Sequence, residues 1–178
     1  GALARRTGCR VLLAQKAFSN YDFYPLLAEE LAGTEPAAST RPGWAGSGWP
    51  AGKCTYSAGP TGEDEFDELL AMPDHIVFNS IHQLKKFGPK GKKCGKSLGL
   101  RINPECSTQE GHAIYDPCAP GSRRGDPCGV DREMDEETLS LLEGLHFHTL
   151  CEQNADASGR TLDAVEARFG DVLPGCNG

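Results

Sequence analysis

His75-Ile76-Val77-Phe78-Asn79-Ser80-Ile81-His82-Gln83-Leu84-Lys85-Lys86-Phe87 passes from one structural period to another within thirteen residues. The first five form a short apolar run of the length and β-branched character of a buried strand. Ser80 then offers a side-chain oxygen to a helix start, and Ile81, Leu84 and Phe87 recur at helical spacing. Ten residues further on, Leu98-Gly99-Leu100-Arg101-Ile102-Asn103 is a second apolar run, closed by Pro104. A strand, a helix and a strand in this order predict a right-handed crossover and parallel pairing.

The same alternation extends both ways. Toward the N-terminus, Lys53–Ser57 reads as a strand. Glu63–Met72 reads as a helix, with Phe66, Leu69 and Leu70 on one face and acids in its first turn. Arg10–Phe18 reads as a buried parallel strand. The spacing of Phe23, Leu26, Leu27 and Leu31 predicts a helix from Asp22 to Ala32, stopped by Gly33. Toward the C-terminus, Met134–Leu142 reads as a helix and Gly144–Cys151 as a strand. A last helix covers Ala157–Leu173, with Leu162, Val165, Phe169 and Leu173 facing inward. Two segments break the pattern. Residues 35–52 are rich in Gly, Pro and Ser and read as irregular, and Glu105–Val130 reads as a long loop. The class is therefore α/β, over a single domain of residues 1–178. An open doubly wound sheet and a barrel segment both fit. No Gly-rich phosphate fingerprint follows the first strand, which lowers the nucleotide-binding reading. A complete eight-stranded barrel needs about 200 residues or more, so a barrel here is a partial one.

Composition narrows the function classes. The chain has 178 residues, 38% hydrophobic and 24% charged, as in an ordinary globular domain. A net charge of -7 argues against a nucleic-acid partner. The basic cluster Lys85, Lys86, Lys90, Lys92, Lys93 and Lys96 is interrupted by Gly and Pro and reads as a solvated loop. No apolar run reaches the roughly 18–20 residues that span a bilayer, so no membrane partner is expected. The first residues lack the apolar centre of a signal peptide, and without an initiator Met the chain is expected to begin inside a longer protein. None of the eight cysteines lies in a Cys-x-x-Cys pair, which removes the zinc-knuckle reading. Reduced thiols in a cytoplasmic protein fit best.

In a parallel α/β protein the chemistry sits beyond the carboxyl ends of the strands. Lys16, Asn79, Arg101, Asn103, His148 and Glu152 all fall there. A lysine closing an apolar strand can be desolvated and become a nucleophile for a Schiff base. Pattern alone favours the plainer reading, a strand-end lysine that snorkels to water. His146 and His148 alternate on one strand face, which suits a metal or an aromatic ligand, though core packing or a surface pair fits the pattern better. Arg101 could hold an anionic oxygen or form a structural ion pair. The loop Tyr115-Asp116-Pro117-Cys118-Ala119-Pro120-Gly121-Ser122-Arg123 is equally a binding loop or plain surface.

Five motifs then occur in order: Val11-Leu12-Leu13-Ala14-Gln15-Lys16-Ala17-Phe18-Ser19, His75-Ile76-Val77-Phe78-Asn79-Ser80, Gly99-Leu100-Arg101-Ile102-Asn103-Pro104-Glu105, the Tyr115–Arg123 loop, and Gly144-Leu145-His146-Phe147-His148-Thr149-Leu150-Cys151-Glu152-Gln153-Asn154. From Cys9 to Leu173 the chain resembles the carboxynorspermidine (carboxyspermidine) decarboxylase family, fold-type III enzymes that use pyridoxal 5'-phosphate. The resemblance implies a partial TIM-type barrel. The family's later strands, its Gly-rich phosphate loop, its acid for the pyridine nitrogen and its C-terminal β-barrel domain have no counterpart in 178 residues. It also implies polyamine synthesis, a polyamine substrate and a homodimer when full length. Carried over by motif, Lys16 holds the cofactor, His148 stacks on its ring and Arg101 lies near it. Tyr115 and Asp116 border the substrate, and Glu152 is read with them. The segment 35–50 departs from the family pattern, and Arg124–Gly129 reads as an insertion. Two other readings remain: a catalytically inert fragment or binding homologue, and a diamino acid decarboxylase of the ornithine or diaminopimelate type. The His146–Asn154 motif argues against the latter.

Overall fold

The computed structural model describes residues 2–36, 49, 53–57, 62–71, 73–109, 116–120 and 134–172. Six strands are described: β1 (Leu12–Ala14), β2 (Gly33–Glu35), β3 (Lys53–Tyr56), β4 (His75–Phe78), β5 (Ser97–Arg101) and β6 (Gly144–His146). Their order in the sheet is their order in the chain, β1-β2-β3-β4-β5-β6. The recorded registers, β1 with β2, β2 with β3, β3 with β4 and β5 with β6, are all parallel. A doubly wound sheet reverses its strand order at a switch point, whereas a (β/α) barrel adds each strand beside the last. The unbroken order therefore separates the two architectures that the sequence leaves open: the fold is α/β, of the partial-barrel kind. The helices are α1 (Ala2–Thr7), α2 (Tyr24–Leu27), α3 (Glu63–Leu69), α4 (Ile81–Lys93), α5 (Glu136–Leu141) and α6 (Ala155–Phe169). Among the described residues, no helix is long and apolar enough to cross a membrane.

The chain divides into two compact units, Gly1–Val77 with Lys90–Ser97, and Phe78–Pro89 with Leu98–Gly178. In the first, Asp74 is the fastener. Its carboxylate accepts from the Cys54 amide at 2.9 Å, its own amide donates to the Cys54 carbonyl, and its carbonyl accepts from Ser97. Burial, with the Asp74 carboxylate beside it, pushes the Cys54 thiol up. Phe66 and Leu69 are buried, as the spacing in α3 predicts, along with Tyr24, Tyr56 and Ile76. Each such side chain contributes roughly 1.5–3 kcal/mol of transfer free energy.

The N-terminal third corrects the sequence reading. Residues 10–18 do not form a buried strand. β1 has three residues, all half-buried, and Val11 is 45% exposed. β1 stands at the end of the strand order, with β2 its one neighbouring strand among the described residues. The helix expected from Asp22 to Ala32 is a single 3-10 turn, Tyr21–Phe23, followed by α2. Asn20 accepts from the Asp22 amide and Pro25 occupies the first turn of α2, which starts it late. It ends early because the Ala32 amide joins the ladder by donating to the Val11 carbonyl at 2.8 Å. Gly33, read as a helix stop, and Glu35, assigned to the irregular stretch, are the ends of β2.

In the second unit, Ser80 caps α4 as expected, accepting from the Gln83 amide at 3.3 Å. The Gln83 side chain reaches back to accept from the Asn79 amide at 2.9 Å. Five of the six lysines read as a loop instead ride on α4, which runs through Gly88 and Pro89 and ends before Lys96. Lys85, Lys86, Lys90, Lys92 and Lys93 all lie on its exposed side, so the solvated reading holds while the loop does not. A Cβ on Gly88 would stand 3.0 Å from Leu141 Cδ1 and 3.1 Å from Leu84 Cδ1, so the missing side chain lets α4 and α5 approach. α6 buries Ala157, Thr161, Val165 and Phe169, four residues apart; Leu162, predicted inward, is 55% exposed because it lies about 100° round the helix from Thr161. Leu173 lies outside the described residues.

Gly88→Val is expected to destabilise by about 1–3 kcal/mol through overpacking. Thr161 is fully buried and its hydroxyl has no hydrogen-bond partner among the described residues, so Thr161→Val should raise stability by about 1 kcal/mol. Denaturant unfolding of the two variants checks both signs. Asp135 supplies a third test. Its carboxylate caps α5, and the hydrogen bond from Thr138 holds its carboxyl at about 2, below the ordinary 3.8, with Lys85 assisting. A depressed folded value means the cap stabilises above the unfolded value and fades as pH falls toward about 2. The stability difference between the native chain and Asp135→Ala should therefore shrink steadily across that interval; a pH-independent difference would refute the capping account.

Candidate active site

Lys16 sits on a turn that follows β1. The Ala17 amide closes this turn on the Ala14 carbonyl at 3.0 Å, while Gln15 turns inward and is buried. Lys16 itself is exposed, so its strand-end position does not desolvate it by burial within this unit. The neighbouring strand ends are polar. The Gln15 amide donates to the Glu35 carbonyl, and the Ser57 hydroxyl donates to the Glu35 carboxylate. Tyr24, buried beneath, packs edge-on to Trp49 with ring centroids 5.3 Å apart. Burial first, then the neighbouring Tyr21, pushes the Tyr24 phenol up. Sequence reasoning missed Glu35 because Gly33 looked like the end of a helix rather than the start of a strand.

In the second unit the register of β5 on β6 sets Arg101 beside His146, and the Ile102 amide donates to the His146 carbonyl at 2.8 Å. β6 stops there. The strand predicted to run to Cys151 is three residues long, and Phe147–Leu150 continue without regular pairing. His148 is therefore not placed by strand alternation with His146, which corrects that expectation. Its support is local: Cys151 Sγ stands 3.4 Å from its Nε2. Phe147, His148, Thr149, Leu150 and Cys151 line an open pocket of about 230 Å³.

The loop after β5 is knitted into this region. Asn103, 5% exposed, donates through Nδ2 to the Pro117 carbonyl at 2.8 Å and accepts through Oδ1 from the Glu105 amide at 2.9 Å. Asp116 accepts from the Cys118 amide at 2.8 Å, which fixes its carboxylate as a turn element rather than a free group. Arg168 of α6 donates to the Pro104 carbonyl at 2.6 Å and pairs with Glu105 at 3.2 Å. Gln109 donates to the Cys151 carbonyl at 3.1 Å and accepts from Gln153 at 3.2 Å. Glu152 is exposed and lies in the left-handed region with φ 57, strained for a residue with a side chain. It lines a polar cavity of about 320 Å³ with Thr108, Gln109, Gln153, Asn154, Asp156 and Arg160. Tyr115, Ser122, Arg123 and the insertion at 124–129 lie outside the described residues.

No family model matches the chain. It is 35% identical over 169 residues to the carboxynorspermidine/carboxyspermidine decarboxylase of Campylobacter jejuni, covering 95% of this chain and 42% of that protein. It is 33% identical to a carboxyaminopropylagmatine decarboxylase of Synechocystis, over 92% of this chain and 41% of that protein. It is 30% identical to the carboxynorspermidine/carboxyspermidine decarboxylase of Herminiimonas arsenicoxydans, over 94% and 44%. The crystal structure of the Campylobacter jejuni carboxynorspermidine decarboxylase, complexed with norspermidine, superposes with a TM-score of 0.79 at 32% identity, over 96% of this chain and 42% of that one. The chain is homologous to part of these decarboxylases. It spans about two-fifths of the length of the relatives it matches.

Asn103 gives the sharpest test of how the site is held. Asn103→Ala leaves the Pro117 carbonyl and the Glu105 amide without their partner and should cost about 1–3 kcal/mol. Proteolysis within residues 103–120 should accelerate while cleavage elsewhere stays slow. Equal acceleration along the whole chain would mean that Asn103 is only a core residue.

Proposed function

We propose that this chain carries part of the active site of a pyridoxal-phosphate-dependent decarboxylase acting on a carboxylated polyamine, of the carboxynorspermidine or carboxyspermidine type. The observation that carries this reading is its similarity, along 95% of its length, to a decarboxylase of that name. The full-length protein would work in polyamine biosynthesis, in the cytoplasm and as a homodimer.

The donor set suits the cofactor group by group. Lys16 presents an exposed primary amine on a closed turn, the form of nucleophile that condenses with an aldehyde. His148 presents an aromatic ring held by Cys151 at the edge of a small open pocket. Arg101 ends β5 with a guanidinium suited to an anionic or ring-oxygen partner. Thr149, 1% exposed and with a hydroxyl that has no hydrogen-bond partner among the described residues, adds a polar atom beside His148. When bound, pyridoxal phosphate supplies the electron sink for the bond that releases carbon dioxide. The residues orient the reactants and hold charge.

The substrate's remaining amines are protonated at neutral pH. Glu152 and Asp156 provide carboxylates for them, and Gln109, Gln153 and Asn154 provide amide oxygens around the same cavity. Arg160, 3.6 Å from Asp156, offsets one of the two charges. Asp116 and Tyr115 belong to the substrate side of this reading. A second relative is named for a different carboxylated amine, carboxyaminopropylagmatine.

The test is to incubate the chain with pyridoxal phosphate, reduce with borohydride and map the adduct by peptide mass. The adduct is expected on Lys16, with Lys16→Ala removing it and leaving other lysines unlabelled at low cofactor concentration. Labelling scattered over the α4 lysines, or none, would sink the assignment and leave the inert fragment as the better reading.

A further inference from the structure

We propose that Cys151 is a positioning residue for His148: its thiol holds the imidazole at Nε2 and so sets the plane in which the ring meets the cofactor. This rests on the reading of His148 as the group that lies on the cofactor ring.

The need for such a residue comes from the backbone. β6 ends at His146, so strand pairing does not orient the side chain two residues later. Side-chain contacts therefore set the ring's orientation about its outer torsion. Cys151 meets the ring directly: its Sγ approaches Nε2 at 3.4 Å, within the range of a hydrogen bond to sulfur. Either direction of this bond selects a tautomer. A thiol that donates leaves the ring proton on Nδ1, and a sulfur that accepts draws it to Nε2.

Cys151 is itself a fixed point. Its carbonyl accepts from Gln109 at 3.1 Å, Gln109 is braced by Gln153, and the Gln153 amide closes the turn by donating to the Leu150 carbonyl at 3.3 Å. Thr149, between the pair, is buried. The left-handed Glu152 follows directly, so the turn is one that a relaxed loop would not choose. The loop after β5 therefore holds the backbone of Cys151, and Cys151 holds His148. A sulfur hydrogen bond is weak, so the expected role is to narrow the ring's orientations rather than to create the site.

The experiment uses the full chain with 15N-labelled histidine. Two-bond proton–nitrogen spectra report both ring nitrogens of His148, assigned by their loss in His148→Gln. Cys151→Ala should shift the Nε2 signal and average the two tautomers, while Cys151→Ser should keep one tautomer. This readout needs no cofactor. In parallel, the pyridoxal phosphate concentration that half-labels Lys16 should rise about 3- to 10-fold in Cys151→Ala, with most of the loss recovered in Cys151→Ser. Unchanged His148 nitrogens in Cys151→Ala overturn the proposal. So does unchanged labelling in Cys151→Ala when His148→Gln weakens it. If His148→Gln leaves labelling unaffected while Cys151→Ala still shifts the nitrogens, the reading of His148 fails and the Cys151 contact stands.

Discussion

Because Leu12–Ala14 pairs in parallel with Gly33–Glu35, and Gly99–Arg101 with Gly144–His146, every turn that leaves one of these strands leaves by the same edge as its neighbour's. That is a constraint of the hydrogen-bond pattern. Parallel ladders need a crossover between strands, and the crossover returns the chain to the opposite edge before the next strand begins. Within the first unit it brings Lys16, Glu35 and Ser57 out together. Within the second it brings out Arg101, Asn103 and the His146–Cys151 segment together. Polar side chains can collect there without interrupting the buried middle of each strand, where Ile76, Phe78, Leu98 and Leu100 are almost wholly covered.

This division of labour explains which features the sequence made legible. β4 and β5 were readable because each is a continuous or alternating apolar run with a clear stop, and Ser80 marked the helix between them through a capping pattern that the structure reproduces. α3 was readable because its buried positions, Phe66 and Leu69, fall on one side of a run opened by three acids. The N-terminal third was not. There an apolar run signals burial only if something covers both faces, and β1 has one flanking strand among the described residues. The amphipathic spacing around Leu26 was equally misleading: Leu26 is 63% exposed, since a helix of four residues cannot turn a stripe toward a core. Gly33 shows the general difficulty. The same glycine serves as a helix stop or as a strand start, and the partner that decides, the Val11 carbonyl accepting from Ala32, is more than twenty residues away.

The candidate site divides along the same line. Residues at strand ends could be named from position, and five motifs in order turned Lys16 from a strand-end lysine that snorkels to water into a cofactor candidate. What position could not reveal is the set of ties that hold these residues. Asn103 to Pro117, Gln109 to Cys151 and Arg168 to Pro104 span 14, 42 and 64 residues of sequence. No local period encodes a contact at such separations; each depends on the parallel layout having formed first.

The strained backbone at Glu105 and Glu152 belongs to this picture. Both are acidic, both have positive φ, and both follow a strand's carboxyl end at a point where a second element pulls on the chain. At Glu105 the pull comes from Asn103 on one side and Arg168 on the other. At Glu152 it comes from Gln109 through the preceding carbonyl. A left-handed residue with a side chain costs of order 1 kcal/mol or more, and glycine would relieve it at either position. Hydrogen bonds from buried or braced partners are what offset that cost. The loops beyond β5 and β6 are thus held by contacts between the loops and α6 rather than by the strands they follow, and the orientation of His148 depends on the same braces.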